Sequence, residues 1–296
     1  MIERQRLKLF WWYVLPAIAV YGVFFIYPYI NAFYISLTGW DGFSAVKTFV
    51  GLKNFVELFG DKRAILAIRN NIQLLAYTAI SSFVLAMLFA IFITQFKLKG
   101  SKFFRTLFFF PNLLSVVVAA LVWMLILSPT EVGLLNSFLG SIGLKGLQHA
   151  WLGELKTVIP ALSIPWTWMS VGFYMILYIA AIQSIPDDIL EAAVIDGASK
   201  WRQIIIIIIP LIWETIRISI VFFLVDAFSG TFVIVNLLTK GGPARASELL
   251  TTYMYNSAFN TRRFGYATAI GVLLFFILVA LSLISMKLTQ KEVNEF

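Results

Sequence analysis

Long apolar runs alternate with short polar segments along almost the whole chain. Six runs are long enough to cross a bilayer as helices rising about 1.5 Å per residue. They are Phe10 to Leu37, Ile72 to Phe96, Phe104 to Leu127, Val158 to Gln183, Ile204 to Phe228 and Tyr266 to Met286. The pattern predicts an all-α transmembrane fold in a single domain, residues 1–296. An even number of spans places both termini on one side. The first run is longer than the apolar region of a cleaved signal and reads as an uncleaved span. Trp11, Trp12 and Tyr13 suit an interfacial aromatic belt. Between the first two runs, Gly51 to Asn70 spaces Leu52, Phe55, Val56 and Phe59 helically. That spacing predicts a helix lying over the outer face.

Composition points the same way. Of 296 residues, 60% are hydrophobic and 13% charged, and the mean hydropathy is +0.88. Soluble domains average about 25% charged residues, and no core of this size hides so much apolar surface from water. The formal charge of +8 is spread in short runs between apolar stretches rather than gathered in a patch. That distribution fits membrane orientation and excludes nucleic acid as the partner. With a cytoplasmic amino terminus, eleven basic residues fall on 47 inside positions and eleven on 97 outside positions. The density favours both termini inside, and Lys97, Lys99, Lys102 and Arg105 crowd one short inner turn. The absence of cysteine excludes disulfides, thiolate metal sites and cysteine nucleophiles. The lone His149 reads as a surface histidine of a polar loop.

One inner segment stands out: Gln183 to Pro210, QSIPDDILEAAVIDGASKWRQIIIIIIP. It describes two short helices joined at a turn. Ser184 or Asp187 can cap the first, and Pro186 suits a helix start. Ile185, Ile189, Ala192 and Ala193 form an apolar stripe, while Asp187, Asp188 and Glu191 face elsewhere. Gly197 ends this helix in a left-handed turn, and a second helix from Ala198 leads into the fifth span. Small residues at Ala192, Ala193, Gly197 and Ala198 let the bent element fit a groove on another protein, although a well-capped interhelical loop would look similar.

Glu191-Ala192-Ala193, Asp196-Gly197-Ala198 and Pro210 resemble the "EAA" loop of binding-protein-dependent ABC importer permeases, and Gln183-Ser184-Ile185-Pro186 resembles its carbohydrate-importer form. The usual Leu-Pro ending is Ile209-Pro210 here. The resemblance continues in Leu15-Pro16, Phe25 to Pro28, Ser36-Leu37, Phe49 to Phe55 and Phe103 to Pro111. It extends to Leu238 to Pro243, where Lys240 replaces the usual glycine, and to Arg263 to Ala267. These match the "first" permeases of maltose-type and glycerol-phosphate-type systems.

The resemblance implies a type I ABC importer permease in a bacterial cell membrane. Its partners would be a second, similar permease in a heterodimer, a dimer of ATP-binding cassette ATPases, and an extracytoplasmic solute-binding protein. It implies no catalysis in this chain and no bound cofactor, since ATP and Mg belong to the ATPase. No phosphate-loop sequence occurs in the chain. It assigns Glu191, Ala192, Ala193, Asp196 and Gly197 to coupling with the ATPase.

Polar side chains at membrane depth are candidates for the solute pathway. The fourth run carries Trp166, Thr167, Trp168, Ser170, Tyr174 and Tyr178, whose hydroxyls and ring faces suit sugars. Small and hydroxyl residues also serve helix packing. The fifth run carries Glu214 and Arg217, which can pair at i, i+3, and Asp226 near its outer end, followed by Ser229 and Thr231. Aligning the family motifs points to Ser170, Phe173, Phe228 and Thr231 as solute contacts, with Asp226 beside them. The solute expected is a sugar or oligosaccharide; a phosphorylated polyol is the alternative. A six-span secondary transporter would need acidic residues at broken helices near the midplane, and only Asp226 is available. An enzyme would need a convergent catalytic set, which is missing, and no ring-forming channel motif stands out.

Overall fold

The computed structural model describes residues 2–96, 98–129 and 133–289. Lys97 and Lys291, both counted for orientation, and the side chain of Ser229 lie outside the described residues. In chain order the helices are α1 (Ile2–Tyr21), α2 (Tyr27–Ser36), α3 (Lys53–Gly60), α4 (Lys62–Gln95), α5 (Ser101–Phe109), α6 (Val116–Ile126) and α7 (Leu134–Ser141). They continue with α8 (Val158–Gln183), α9 (Asp187–Ile195), α10 (Lys200–Gln203), α11 (Ile209–Leu211), α12 (Trp213–Leu238), α13 (Leu250–Tyr255) and α14 (Phe264–Thr289). No β-strand occurs among the described residues; Thr38 and Phe49 form an isolated bridge.

Among the described residues, five stretches are long and apolar enough to cross a membrane: Trp12–Ser36, Lys62–Gln95, Val158–Gln183, Trp213–Leu238 and Phe264–Lys287. A sixth is broken. Ser101–Leu113 and Val116–Ile126 pass the same test together but meet at 102°. Where the hydropathy predicts one continuous span, Leu114 and Ser115 adopt extended backbone (ψ 146° and 137°) just after a 3-10 turn containing Pro111. Two extended residues end one helix and start another in a new direction.

The fifth stretch also differs from its apolar run. A π-helical turn, Ile204–Ile208, and the three-residue α11 precede it, and Ile212 turns at φ −91°, ψ 9°. Pro210 has no N–H to continue the ladder. The long helix therefore begins at Trp213 rather than Ile204 and runs to Leu238, which places Asp226 in its middle rather than near its end.

The expected outer helix over 51–70 is likewise replaced. α3 stops at Gly60, and α4 begins at Lys62 and continues unbroken through the second apolar run. Leu52, Val56 and Phe59 are exposed, whereas Leu58 and Asn54 are buried. Asn54 decides the orientation of α3, because its side-chain amide donates to the carbonyls of Ser36 and Thr38, both at 2.8 Å. Two buried acceptors outweigh the apolar stripe.

The chain divides into two compact units, one comprising residues up to Ile65 together with Tyr253–Phe276, the other Leu66–Thr252 with residues from Ile277 onward. In the first, Arg263 holds Glu57 through two contacts, 2.7 and 2.6 Å. The Tyr253 hydroxyl donates to Asp61, and the Tyr266 hydroxyl donates to the same carboxylate oxygen at 2.7 Å. Burial alone would push the Asp61 carboxyl up, but these hydroxyls and the backbone N–H of Arg63 outweigh it and hold the pKa below its ordinary value. A depressed carboxyl stabilises the fold above the unfolded pKa and loses that contribution as pH falls through the folded one. Asp61→Asn should therefore lower stability at neutral pH by about 1–3 kcal/mol. Thermal unfolding in detergent checks it: the gap between variant and wild type should narrow below about pH 4, and a pH-independent gap would contradict the assignment.

In the second unit, α8 is the central element, with Val158, Leu162, Met175, Tyr178 and Ile179 fully or almost fully buried. α12 packs on α6 and α8, and α5 packs on α8. The α5–α8 approach is very close. A Cβ at Gly172 would lie 2.0 Å from the Phe108 carbonyl oxygen and 2.6 Å from the Phe109 Cα. Hydroxyls stitch the helices further: Ser82 to Ser170 at 2.7 Å, Ser81 to Thr167 at 2.6 Å and Tyr178 to Ser219 at 2.8 Å. Residues 239–250 are tied to α4. The Asn70 amide donates to the carbonyls of Arg245 and Glu248, and Asn71 accepts from the Leu250 N–H at 2.7 Å.

Candidate functional site

The bent loop takes its shape from local chemistry. α9 starts behind Pro186, whose extended ψ of 135° sets the chain direction, and Asp187 and Asp188 occupy the first turn, where the helix dipole favours acids. Neither Ser184 nor Asp187 caps it; the Ser184 hydroxyl instead bonds back to the Ala181 carbonyl at 2.8 Å. At the other end Gly197 sits at φ +76°. Its N–H donates to the Val194 carbonyl at 3.0 Å, and the Ala198 N–H reaches the Ala193 carbonyl at 2.9 Å. This is a Schellman closure, which requires a left-handed residue at that position. Ser199, rather than Ala198, opens the second helix by accepting the Arg202 N–H.

Only Ile185 and Ala193 of the predicted apolar stripe are buried; Ile189 and Ala192 are exposed. Glu191, Asp196 and Gly197 are exposed too, and beside them Val194 and Ile195 present 62% and 86% of their surface. The helix thus turns Ala193 inward and offers Glu191, Ala192 and Ile195 outward. An apolar tip of this kind next to a free carboxylate is a surface made to be covered.

A cavity of about 450 Å3 opens between α8, α12 and the turn after α5. Ser170, Phe173 and Tyr174 line it from α8, Phe222, Val225 and Asp226 from α12, and Asn112 from the 3-10 turn. Ser170 is already engaged, sharing a hydrogen bond with Ser82 and bonding to the Thr167 carbonyl at 3.3 Å, so it has at most a lone pair to offer. The side chains of Asn112, Tyr174 and Asp226 have no hydrogen-bond partner among the described residues. Unspent donors and acceptors therefore converge on one cavity beside the rings of Phe173 and Phe222. Hydroxyl groups can bond to the amide, phenol and carboxylate, while the rings cover an apolar face.

Of the expected pathway residues, the cavity gathers Ser170, Phe173 and Asp226. It does not gather Phe228 and Thr231, which are 5% and 2% exposed. The Thr231 hydroxyl is spent on the Ala227 carbonyl at 2.5 Å. Asn112 and Phe222 were not foreseen from sequence. The signal for Asn112 is its place directly after Pro111 inside an apolar run, where a helix break exposes a polar side chain. Thr167 and Tyr178 serve packing through Ser81 and Ser219. Glu214 and Arg217 pair with each other on the first turn of α12. His149 pairs with Glu154 at 3.1 Å.

The profile described as "Binding-protein-dependent transport system inner membrane component" matches residues 82–294. "Probable ABC transporter permease protein YurN" of Bacillus subtilis is 42% identical, over 95% of this chain and 96% of its own length. "Diacetylchitobiose uptake system permease protein NgcF" of Streptomyces coelicolor is 33% identical, over 87% of this chain and 75% of its own. Among solved structures, a chain of a bacterial alginate ABC transporter, crystallised in complex with an alginate pentasaccharide-bound periplasmic protein, superposes with a TM-score of 0.84. It shares 25% identity, covering 99% of this chain and 97% of that one. The matched profile spans most of the chain, including the bent loop and the cavity helices, and the chain belongs to the family of binding-protein-dependent transport system inner membrane components.

Proposed function

We propose that this chain forms half of the transmembrane pathway of an ABC importer for a neutral oligosaccharide, with Asn112, Ser170, Phe173, Tyr174 and Asp226 contacting the solute. The convergence of unspent polar groups and two phenylalanine rings on one cavity carries the reading. Saccharide chemistry, though not neutrality, also fits the relatives, one named for diacetylchitobiose uptake and one for import of the acidic polysaccharide alginate. Charge narrows the class. Asp226 disfavours an anion in the cavity, and Arg217, the basic residue of the fifth run, is committed to Glu214. A neutral sugar is therefore favoured over a phosphorylated polyol.

An extracytoplasmic binding protein delivers the solute, and a second permease completes the pathway. A separate ATPase dimer docks on the loop around Glu191, Ala192, Ala193, Asp196 and Gly197, and ATP with Mg is bound there rather than by this chain. Both termini face the cytoplasm, and residues 1–296 act as one transmembrane permease domain.

Affinity purification from gently solubilised membranes should recover a companion permease and an ATPase. Recovery of the chain alone, transporting under an ion gradient without ATP, would replace this reading with a secondary transporter. Uptake in whole cells should be competed by neutral oligosaccharides and not by glycerol phosphate; the reverse result assigns the alternative solute. Phe173→Ala should raise the KM for uptake about tenfold, equivalent to about 1.4 kcal/mol. An unchanged KM would remove Phe173 from the site.

A further inference from the structure

A second, polar cavity of about 640 Å3 lies where α9 approaches α5, and its charges are unanswered. Arg105 of α5 and Asp187 and Glu191 of α9 share its lining with the side chains of Gln95, Gln183 and Gln203. The Nε of Arg105 is cut off from solvent and has no acceptor among the described residues. Neither carboxylate forms an ion pair with it within 4.0 Å. A guanidinium with a buried, unpaired nitrogen in a cavity that two carboxylates also line is poised: an approach of α9 toward α5 would satisfy it, and strongly, because charge-assisted bonds from arginine to carboxylate are among the stronger contacts available.

The far end of α5 shows where such a movement would go. Phe108 and Phe109 lie against Gly172 of α8 with no space for a methyl group, so α5 can tilt about that crossing but not slide along it. Asn112, seven residues beyond Arg105 and roughly 10–12 Å along the axis, lines the solute cavity. α5 and the 3-10 turn that follows it thus run from the cavity of the bent loop to the cavity lined by Asn112. Gly197 supplies the pivot on the other side, since its turn separates α9 from α10.

We propose that Arg105 is a positioning residue for transport: displacement of α9 brings Asp187, the cavity carboxylate outside the docking surface, onto its guanidinium, and α5 transmits that displacement to Asn112 in the solute cavity. The inference rests on the reading of the loop as the ATPase docking element. It also explains why a basic residue stands inside the cavity instead of at the surface with Lys99 and Lys102.

The test uses the reconstituted importer with its partner subunits. This chain has no cysteine, so Asn112→Cys supplies its only thiol. Its labelling rate by a membrane-impermeant maleimide is measured with and without ATP and vanadate, beside the amount of ATPase that co-purifies. Nucleotide should change the rate about fivefold or more with Arg105 or Arg105→Lys, and should leave it unchanged in Arg105→Glu, with the ATPase still bound. A full nucleotide response in Arg105→Glu overturns the proposal. If Arg105→Glu fails to assemble, Arg105→Gln carries the same comparison, because it removes the charge while keeping a side chain of similar length. Failure of the ATPase to co-purify even with Arg105 present would instead overturn the docking reading beneath it.

Discussion

Gly172→Ala is expected to destabilise the protein by about 3 kcal/mol or more, near the top of the range for overpacking a core. The added methyl carbon would lie 2.0 Å from the Phe108 carbonyl oxygen, 2.5 Å from its carbonyl carbon and 2.6 Å from the Phe109 Cα. All three are backbone atoms, so no side chain can rotate away. Either α5 must move off α8 or the carbonyl must leave its helical position. Gly230→Ala is the useful contrast. Its methyl would fall 1.9 Å from the Trp166 ring, an equally short distance but against a buried side chain that must repack rather than against backbone. The cost there should be smaller. Thermal unfolding of the purified variants in one detergent compares them directly. A Gly172→Ala melting temperature equal to that of wild type would mean that α5 is not held against α8 as described. Because net stability is of the order of 5–15 kcal/mol for folded domains, we expect this variant to accumulate poorly in the membrane.

That contact also marks the limit of what the sequence could reveal. Hydropathy registers where a chain prefers lipid, and it distinguished helical apolar segments from loops because nothing else accounts for so many apolar residues in a row. It does not register backbone direction. The 102° break after Leu113 lies within one uninterrupted apolar run, and its markers are a single Pro111 and two extended residues. Asn112 lines the cavity between α8 and α12 because of that break, and its one marker in the sequence is its place directly after Pro111. Phe228 and Thr231 stay outside that cavity for a related reason. The register of a helix decides which side chains face a cavity, and α12 starts at Trp213 after a π-helical turn that shifts the phase of everything beyond it.

The bent loop was far more legible, because its shape depends on local chemistry. A glycine after a stripe of apolar residues is a well-understood helix stop, and Gly197 takes the left-handed conformation that such a stop demands. The caps were misplaced, and half of the apolar stripe, Ile189 and Ala192, is exposed rather than buried. Ser199 could be found only by knowing that the chain needs two residues, not one, to turn from α9 into α10.

Gly197→Pro should keep membrane insertion and yet abolish coupling between ATP hydrolysis and uptake. Proline holds φ near −65°, whereas the turn requires +76°. Proline also lacks the N–H that donates to the Val194 carbonyl. The closure must open, and the Ala198 N–H loses its alignment with the Ala193 carbonyl. Damage stays local, since nothing lies within 4 Å of a Cβ built at Gly197 and the residue is solvent-exposed. Gly197→Ala separates geometry from bulk: it meets no neighbour, pays about 1–2 kcal/mol for the left-handed conformation, and should retain partial coupling. Glu191→Lys tests charge at the same surface without disturbing the backbone. A coupling free energy of about 1–3 kcal/mol corresponds to roughly 5–150-fold in affinity, so ATPase recovered with Gly197→Pro or Glu191→Lys should fall at least fivefold, with solute-stimulated ATP hydrolysis falling alongside. Wild-type uptake by both variants would sink the docking role of the loop, while loss of both proteins from the membrane would trace the defect to folding and leave Gly197→Ala to decide between the two.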